Sequence, residues 1–453
     1  MTTDTHNAKV QHLQQEFRAH ANSGNLSLKK KTSNLFRNQK SGRYRLDVSN
    51  LNTVLDVDPE HLTITAEGMT TFEDIVNESL KHNLIPLVVP ELKTITIGGA
   101  IAGMAIESSS FRYGLVHESI LEMEILTGTG EVVVCTPTNE YKDLFFALPN
   151  SYGTLGYVLR ATIKARRASA YVHLRHIPFN SAEACFKTVE EICKTKKYDN
   201  ETISFIDGTA FRPDQIYLTL GIDSSEAPYI SDYTYKQIYY RSIPKNKDDY
   251  LTIHDYIWRW DTDWFWCSKN MFADRPLARR ILGRQRLGSR TYSRIMRFEA
   301  KYHIYGTLVK LFGRAQPQED VIQDVEIPIQ NASSFLHQFD QQVGMHPVWI
   351  CPTKSVSKRW PYPLYPMKNE QLYVNFGFWD SIPARGNPKD AYFNKAVEKL
   401  VTDHGGMKSL YSTSFYPKKD FERIYNYSSY KKIKATYDPD SRLGDLYIKC
   451  TNR

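Results

Sequence analysis

Val88-Val-Pro-Glu-Leu-Lys-Thr-Ile-Thr-Ile-Gly-Gly-Ala-Ile-Ala-Gly-Met-Ala-Ile-Glu-Ser-Ser-Ser-Phe-Arg-Tyr-Gly114 is the stretch on which the reading of this protein turns. Glycine stands at 98, 99, 103 and 114, with Ala105, Ser108, Ser109 and Ser110 among them. Lacking a Cβ, glycine lets a ligand or a second segment approach the main chain. Its backbone angles can also aim successive N–H groups into one concavity that suits an anion, and the serine hydroxyls add donors. Two readings stand: a backbone-lined slot for a phosphate-bearing cofactor, or tight packing at a sharp turn. The spacing is neither Gly-x-Gly-x-x-Gly nor a Walker loop, so the surrounding order of elements has to decide.

Working outward, Val10–Ala21 has helical spacing, and Leu26–Leu28 is a short strand. Lys29 to Arg37, then Lys40, Arg43 and Arg45, form a basic, hydroxyl-bearing loop that suits a pyrophosphate or a solvated terminus. Alternation predicts strands over 44–51, 53–57 and 62–66. Thr71 is placed to cap a helix burying Phe72, Ile75, Val76 and Leu80. A buried strand over 85–89 leads into the glycine stretch. After it come a strand (120–126), a hairpin turn (Thr127-Gly-Thr-Gly130), a returning strand (131–135), a helix (141–148), a second small-residue turn (151–156) and a strand (158–164).

That order resembles the flavin-binding domain of the vanillyl-alcohol-oxidase, or PCMH, type. The motifs that carry the resemblance are Pro90, Gly98-Gly99, Tyr113-Gly114, Gly130-Glu131-Val132-Val133, Asp143-Leu144-Phe145 and Gly153-Thr154-Leu155-Gly156, across residues 10–168. Pro90-Glu91-Leu92, the Ile-Glu-Ser-Ser-Ser run and Cys135-Thr136-Pro137 narrow it to the Δ24-sterol reductase (seladin/Diminuto) branch. Asp324–Pro328, His346–Pro352, Leu372–Val374 and Leu410-Tyr411 extend the likeness through the second half.

The resemblance implies an α+β protein with a two-subdomain PCMH-type FAD-binding domain (1–168), an α+β substrate or cap domain (169–404), and a C-terminal segment (405–453) that approaches the flavin. Implied cofactor contacts are Lys31, Thr32, Ser33 and Asn34 in the basic loop. Ile97, Gly98, Gly99, Ala100, Gly103 and Ile106 are implied in the first half of the glycine stretch, and Glu107, Ser108, Ser109, Ser110, Tyr113 and Gly114 in its second half. Gly153, Gly156 and Val158 complete the set. The early loop has no histidine, so FAD is expected to be held non-covalently, with NADPH as electron donor. Tyr411 is the first candidate proton donor, because the resemblance puts it near the flavin; Tyr416 and His303 follow. With 29 tyrosines in the sequence, each is also open to the ordinary reading of a core ring with a satisfied hydroxyl.

In the second half, Trp258, Trp260, Trp264 and Trp266 lie within nine residues, and eight arginines follow between Arg275 and Arg297. Aromatic rings beside a cationic amphipathic segment suit a membrane surface, giving 257–297 as a peripheral contact. The alternative is that the tryptophans line a cavity or core and the arginines are a solvated face.

The totals set outer bounds. There are 453 residues, 41% hydrophobic and 24% charged, with a formal charge of +8, an ordinary globular profile. The surplus favours anionic ligands without requiring nucleic acid, and none is expected. Six cysteines without Cys-x-x-Cys spacing suit a reducing, cytoplasmic compartment. His173 and His176 are three apart on a strand and face opposite ways, so no metal site is read. There is no Gly-x-Ser-x-Gly elbow. No run long enough for a transmembrane helix occurs, and the N-terminal anchor of the sterol reductases is not expected here. The functional expectation is an FAD-dependent reductase of a C=C bond in the side chain of a sterol-like or isoprenoid lipid, a hydrophobic small molecule. An FAD-linked oxidase or dehydrogenase of a hydroxy acid or sugar alcohol, and a flavin-less binding protein on the same scaffold, stay open.

Overall fold

A computed structural model describes residues 2–20, 24–30, 36–37, 44–302, 316–357 and 362–451. The helix Thr2–Ala19 buries Val10, Leu13 and Phe17 as their spacing predicts. A parallel pair, β1 (Leu26–Lys29) and β2 (Tyr44–Asp47), follows. The first sheet then uses β3 (Val54–Asp58), β4 (Thr63–Glu67), β5 (Leu84–Pro86), β6 (Ile120–Leu126), β7 (Val132–Cys135) and β8 (Tyr157–Arg167). Its order is β3-β4-β8-β6-β7, with β5 also paired to β8. The helix Phe72–Leu80 packs on it through Phe72, Ile75 and Val76, and Thr71 accepts the Asp74 amide as read from the sequence.

The glycine stretch is not an open turn. Ile97–Gly103 is a helix whose first amides are already bonded within the protein. Ile97 N–H donates to the Thr70 carbonyl, Gly98 N–H to the Gly68 carbonyl and Gly99 N–H to Thr96 Oγ1. The glycines serve close approach. A Cβ on Gly68 would lie 1.9 Å from the Val158 carbonyl oxygen, and one on Gly98 would lie 2.8 Å from the Gly68 oxygen. The helix is therefore drawn tight against β8.

The second sheet is a larger antiparallel one. It comprises β9 (Tyr171–Phe179), β12 (Phe205–Arg212), β13 (Gln215–Ser224), β14 (Asp248–Thr252), β15 (Gln318–Pro328), β16 (Val348–Lys354), β17 (Leu372–Pro383) and β18 (Met407–Lys408). Its order is β14-β9-β13-β12-β16-β17-β15-β18; a short hairpin, β10 and β11 (197–198 and 201–202), stands apart. Strand alternation splits its residues between two faces. Val321, Val325, Val348, Ile350, Val374 and Phe376 meet the helices Ala182–Thr195, Ile329–Gln342 and Tyr392–Asp403. Ile322, Asp324, Glu326, Trp349 and Trp379 take the other face and look toward the first domain.

The tryptophan run is not a membrane belt. Trp258, Trp260, Trp264 and Trp266 are all buried in the core between the sheets, and Trp260 and Trp266 each expose 1%. Trp264 and Phe265 stack toward Tyr292 and Trp260, so burial and ring packing account for the run. Among the described residues no helix is long and apolar enough to cross a membrane. All six cysteines are free.

After β18 the polypeptide returns to the first domain. The helix Tyr427–Tyr437 places the buried Lys434 Nζ 2.8 Å from the Thr154 carbonyl, and Tyr437 donates to Asp143 at 2.7 Å. Leu26 N–H then donates to the Arg442 carbonyl at 2.7 Å. Residues 405–451 thus tie the large sheet back onto the N-terminal pair β1 and β2.

Candidate functional site

Between the glycine helix and the inner face of the large sheet lies a cavity of about 1260 Å³. That exceeds the several hundred Å³ usual for a single drug-sized ligand, which leaves room for two molecules side by side. Gly98, Gly99, Ala100, Gly103, Ile106, Gly153, Gly156 and Val158 line one side. Trp264, Phe265, Trp349 and Trp379 form an aromatic wall on another, and Tyr411, Leu443 and Lys449 come from the C-terminal segment.

One region of the wall gathers cations. Lys30, Arg37, Arg45 and Lys449 all border the cavity. Arg37 is buried; one nitrogen donates to the Leu410 carbonyl at 3.0 Å, its guanidinium lies 4.5 Å from the Tyr152 ring centre, and Nη2 has no hydrogen-bond partner. Burial first, and then the Arg37 charge, push Lys449 down to about 7 and lower Lys30 as well. Like charges brought together in a shielded place repel one another, and an anion set among them would relieve that.

Acids border the same cavity through Asp320, Asp324 and Glu326. Tyr411 receives a hydrogen bond from Trp379 Nε1 at 2.7 Å, and its hydroxyl is also bonded to Asp324. Burial raises Asp324 to about 6, and Asn375 Nδ2 donates to it at 2.8 Å. Burial also holds Glu326, a partner of the Tyr365 hydroxyl, well above its ordinary value. Tyr411 is raised well above the usual phenol range, by burial and then by the Asp324 charge.

A third feature adjoins the wall at Glu91. Arg259 Nη2 sits 2.9 Å from Asp207, 3.1 Å from Glu91 and 3.4 Å from Glu107, all buried. Trp260 and Trp349 both donate to Asp207 at 3.2 Å. One guanidinium cannot balance three carboxylates away from water, so burial, chiefly, and mutual repulsion raise Glu91 and Glu107 and keep protons on the cluster.

The residues singled out from sequence therefore divide. Gly98, Gly99, Ala100, Gly103, Ile106, Gly153, Gly156, Val158 and Tyr411 meet at the cavity. Ile97 is buried in the core below it. Glu107 belongs to the Arg259 cluster. Ser108 bonds Glu107 and Tyr256, Ser109 donates to the Leu87 carbonyl, and Ser110 accepts the Glu107 amide, so these hydroxyls brace the loop rather than face the cavity. Tyr113 and Gly114 close the short helix Ser110–Tyr113, away from the cavity. Tyr416 is buried with its hydroxyl on the Glu398 carbonyl at 3.1 Å. Lys31, Thr32, Ser33, Asn34 and His303 lie outside the described residues. Sequence reasoning missed Glu91, Asp324, Glu326, Trp379 and Lys449 as site residues. Strand alternation in β15 was the available signal for Asp324 and Glu326.

Comparison with known proteins gives a family for the N-terminal part and distant relatives for most of the sequence. The family model described as an FAD binding domain matches residues 8–136. The human Delta(24)-sterol reductase is 28% identical over 420 residues, which span 88% of the present sequence and 76% of the human protein. The Arabidopsis thaliana Delta(24)-sterol reductase is 24% identical over 443 residues, spanning 91% and 77%. A Delta(24)-sterol reductase homolog of Caenorhabditis elegans is 23% identical over 483 residues, spanning 98% and 87%. With an FAD-binding domain matched over residues 8–136 and a distant relationship to the Delta(24)-sterol reductases over most of its length, the protein is an FAD-dependent oxidoreductase.

Proposed function

We propose that the protein reduces an isolated C=C bond in the side chain of a sterol-like or isoprenoid lipid, with NADPH as electron donor and non-covalently held FAD as carrier. The residues present fit FAD. The orphaned Arg37 Nη2, with Lys30 and Lys449 beside it, suits a diphosphate. The glycine helix and Gly153–Gly156 leave a smooth wall along which a flat ring system can lie. When bound, FAD supplies the hydride chemistry; the protein's task is to place the olefin and deliver a proton to it.

The observation that carries the reading is the protonation bias of the wall. A hydroxyl oxidase needs a base that takes a proton, whereas olefin reduction needs an acid that gives one. Glu326 and Glu91 are pushed toward the protonated form by burial, and the Tyr411 hydroxyl keeps its proton hydrogen-bonded to Asp324 at the same wall. Tyr411 is the donor we assign, oriented by Trp379 and resupplied by Asp324, whose carboxyl burial raises to about 6. The aromatic wall Trp264–Phe265–Trp349–Trp379 provides apolar surface for a hydrocarbon tail.

The test is anaerobic. The yellow protein should bleach with NADPH and recover its colour on adding an olefinic sterol such as desmosterol. Bleaching by a hydroxy acid or a sugar alcohol, with no reoxidation by olefins, would overturn the reading.

A further inference from the structure

The helix Pro276–Leu282 is built inside out. Its Arg279 is buried, 2.5 Å from Asp263, while Leu277 and Ile281 stand 70% and 72% exposed. At about 100° per residue, Leu277, Arg280 and Ile281 share one arc of roughly 100° on the outward side. Phe272, just before the helix, is 56% exposed under the Arg275 guanidinium at 4.9 Å. From Phe272 to Phe298 the sequence holds eight arginines against one carboxylate, Asp274. Among the described residues Arg284 pairs with Asp232 and Arg290 with Glu73, while Arg280 and Arg286 are exposed with no ion-pair partner.

We propose that this face, centred on Leu277, Arg280, Ile281 and Arg286, is a docking site for an anionic lipid surface. The chemistry is two-part. Large apolar side chains held outward on a helix enter the interfacial layer, and unpaired guanidinium groups beside them meet lipid phosphate. Inward anchoring through Arg279–Asp263 fixes the helix so that its apolar side stays turned to solvent. The site also has a place in the molecule. Cys267 and Asn270, five and two residues before Phe272, line the cavity. Docking does not depend on the proposed reaction, because its test reads binding alone.

The holoprotein is floated with phosphatidylcholine vesicles with and without about 30% phosphatidylserine. Recovery with the anionic vesicles, weakened by salt, is expected. Leu277→Ser/Ile281→Ser and Arg280→Glu/Arg286→Glu should each lower partitioning roughly tenfold or more, since one surface arginine alone is worth about fivefold. Flavin content and melting temperature should not change, because all four side chains are exposed. Failure to float at low salt would overturn the proposal. So would loss with the arginine pair but not the apolar pair, which marks a plain polyanion surface such as nucleic acid would use. A dimer dispersed by the apolar pair, with vesicle binding intact, would assign the face to a second copy instead.

Discussion

Trp379 donates its indole N–H to the Tyr411 hydroxyl across 2.7 Å, joining β17 of the large sheet to the C-terminal segment at the cavity wall. The bond fixes the phenol oxygen while Asp324 accepts its proton. Tyr411→Phe is expected to slow olefin reduction by about 10²–10⁴-fold with flavin spectrum and affinity unchanged. Asp324→Asn should remove an inflection near pH 6 from the rate profile, since burial places that carboxyl at about 6. Steady-state rates across about pH 5–9, with flavin content measured in parallel, check both.

Arg37 and Lys449 are the cations proposed to hold the FAD diphosphate. Losing one charge-assisted hydrogen bond costs about 1.5–3 kcal/mol, so Arg37→Gln should weaken FAD binding roughly tenfold to a hundredfold. Lys449 is depressed to about 7 by burial and by Arg37. An anion beside it favours the charged form and raises that value, so FAD binding above pH 7 should take up a proton. Calorimetry in buffers of different ionisation enthalpy reads this directly.

His6 is buried between Glu67 at 2.9 Å and Glu124 at 3.1 Å. Burial alone would lower its pKa, but both carboxylates outweigh that and raise it to about 9, against 6.5 unperturbed. The pairing therefore stabilises the fold fully below pH 6.5, and the stabilisation is lost as pH rises through 9. The effect should be roughly 3 kcal/mol. Urea unfolding at about pH 6 and about pH 9.5 should show it, and His6→Gln should flatten the difference.

Gly68→Ala should be severe. Its Cβ would meet the Val158 carbonyl oxygen, a main-chain atom fixed in β8 that cannot swing aside. A loss of about 3 kcal/mol or more is expected in urea unfolding, well above the usual cost of a surface change.

Arg259→Met removes the one cation beside Asp207, Glu91 and Glu107 among the described residues. Breaking a buried pair from one side costs about 3–5 kcal/mol. Adding Asp207→Asn should recover part of that, because one fewer carboxylate then needs a counter-charge. Melting curves of the single and double variants check it.

Much of the fold is legible in the sequence because it rests on local rules. Thr71 caps its helix through the Asp74 amide, the hairpin turns at Thr127–Gly130, and Val348 and Ile350 alternate with Trp349 and Cys351 across two faces. What is not legible depends on partners distant in sequence. Ser108, Ser109 and Ser110 look like ligand donors until Tyr256 and the Leu87 carbonyl are seen to use them. The glycines look like a loop until Gly68 and Val158 show that a helix needs the space. The Trp258–Trp266 run has the composition of a membrane belt, but burial against Trp349, Trp379 and Tyr239 makes it core. Arg37 and Lys449, 412 positions apart, meet only in the folded molecule.

The return of the C-terminal segment to β1 and β2 sets a timetable. Leu443 and Lys449 share the cavity wall with Leu26 and Lys30, so the pocket is stitched from an early and a late part of the polypeptide. That seam cannot close until Leu443 and Lys449 have been made. On the proposed reading flavin capture waits for them, and a product truncated before Leu443 should emerge colourless.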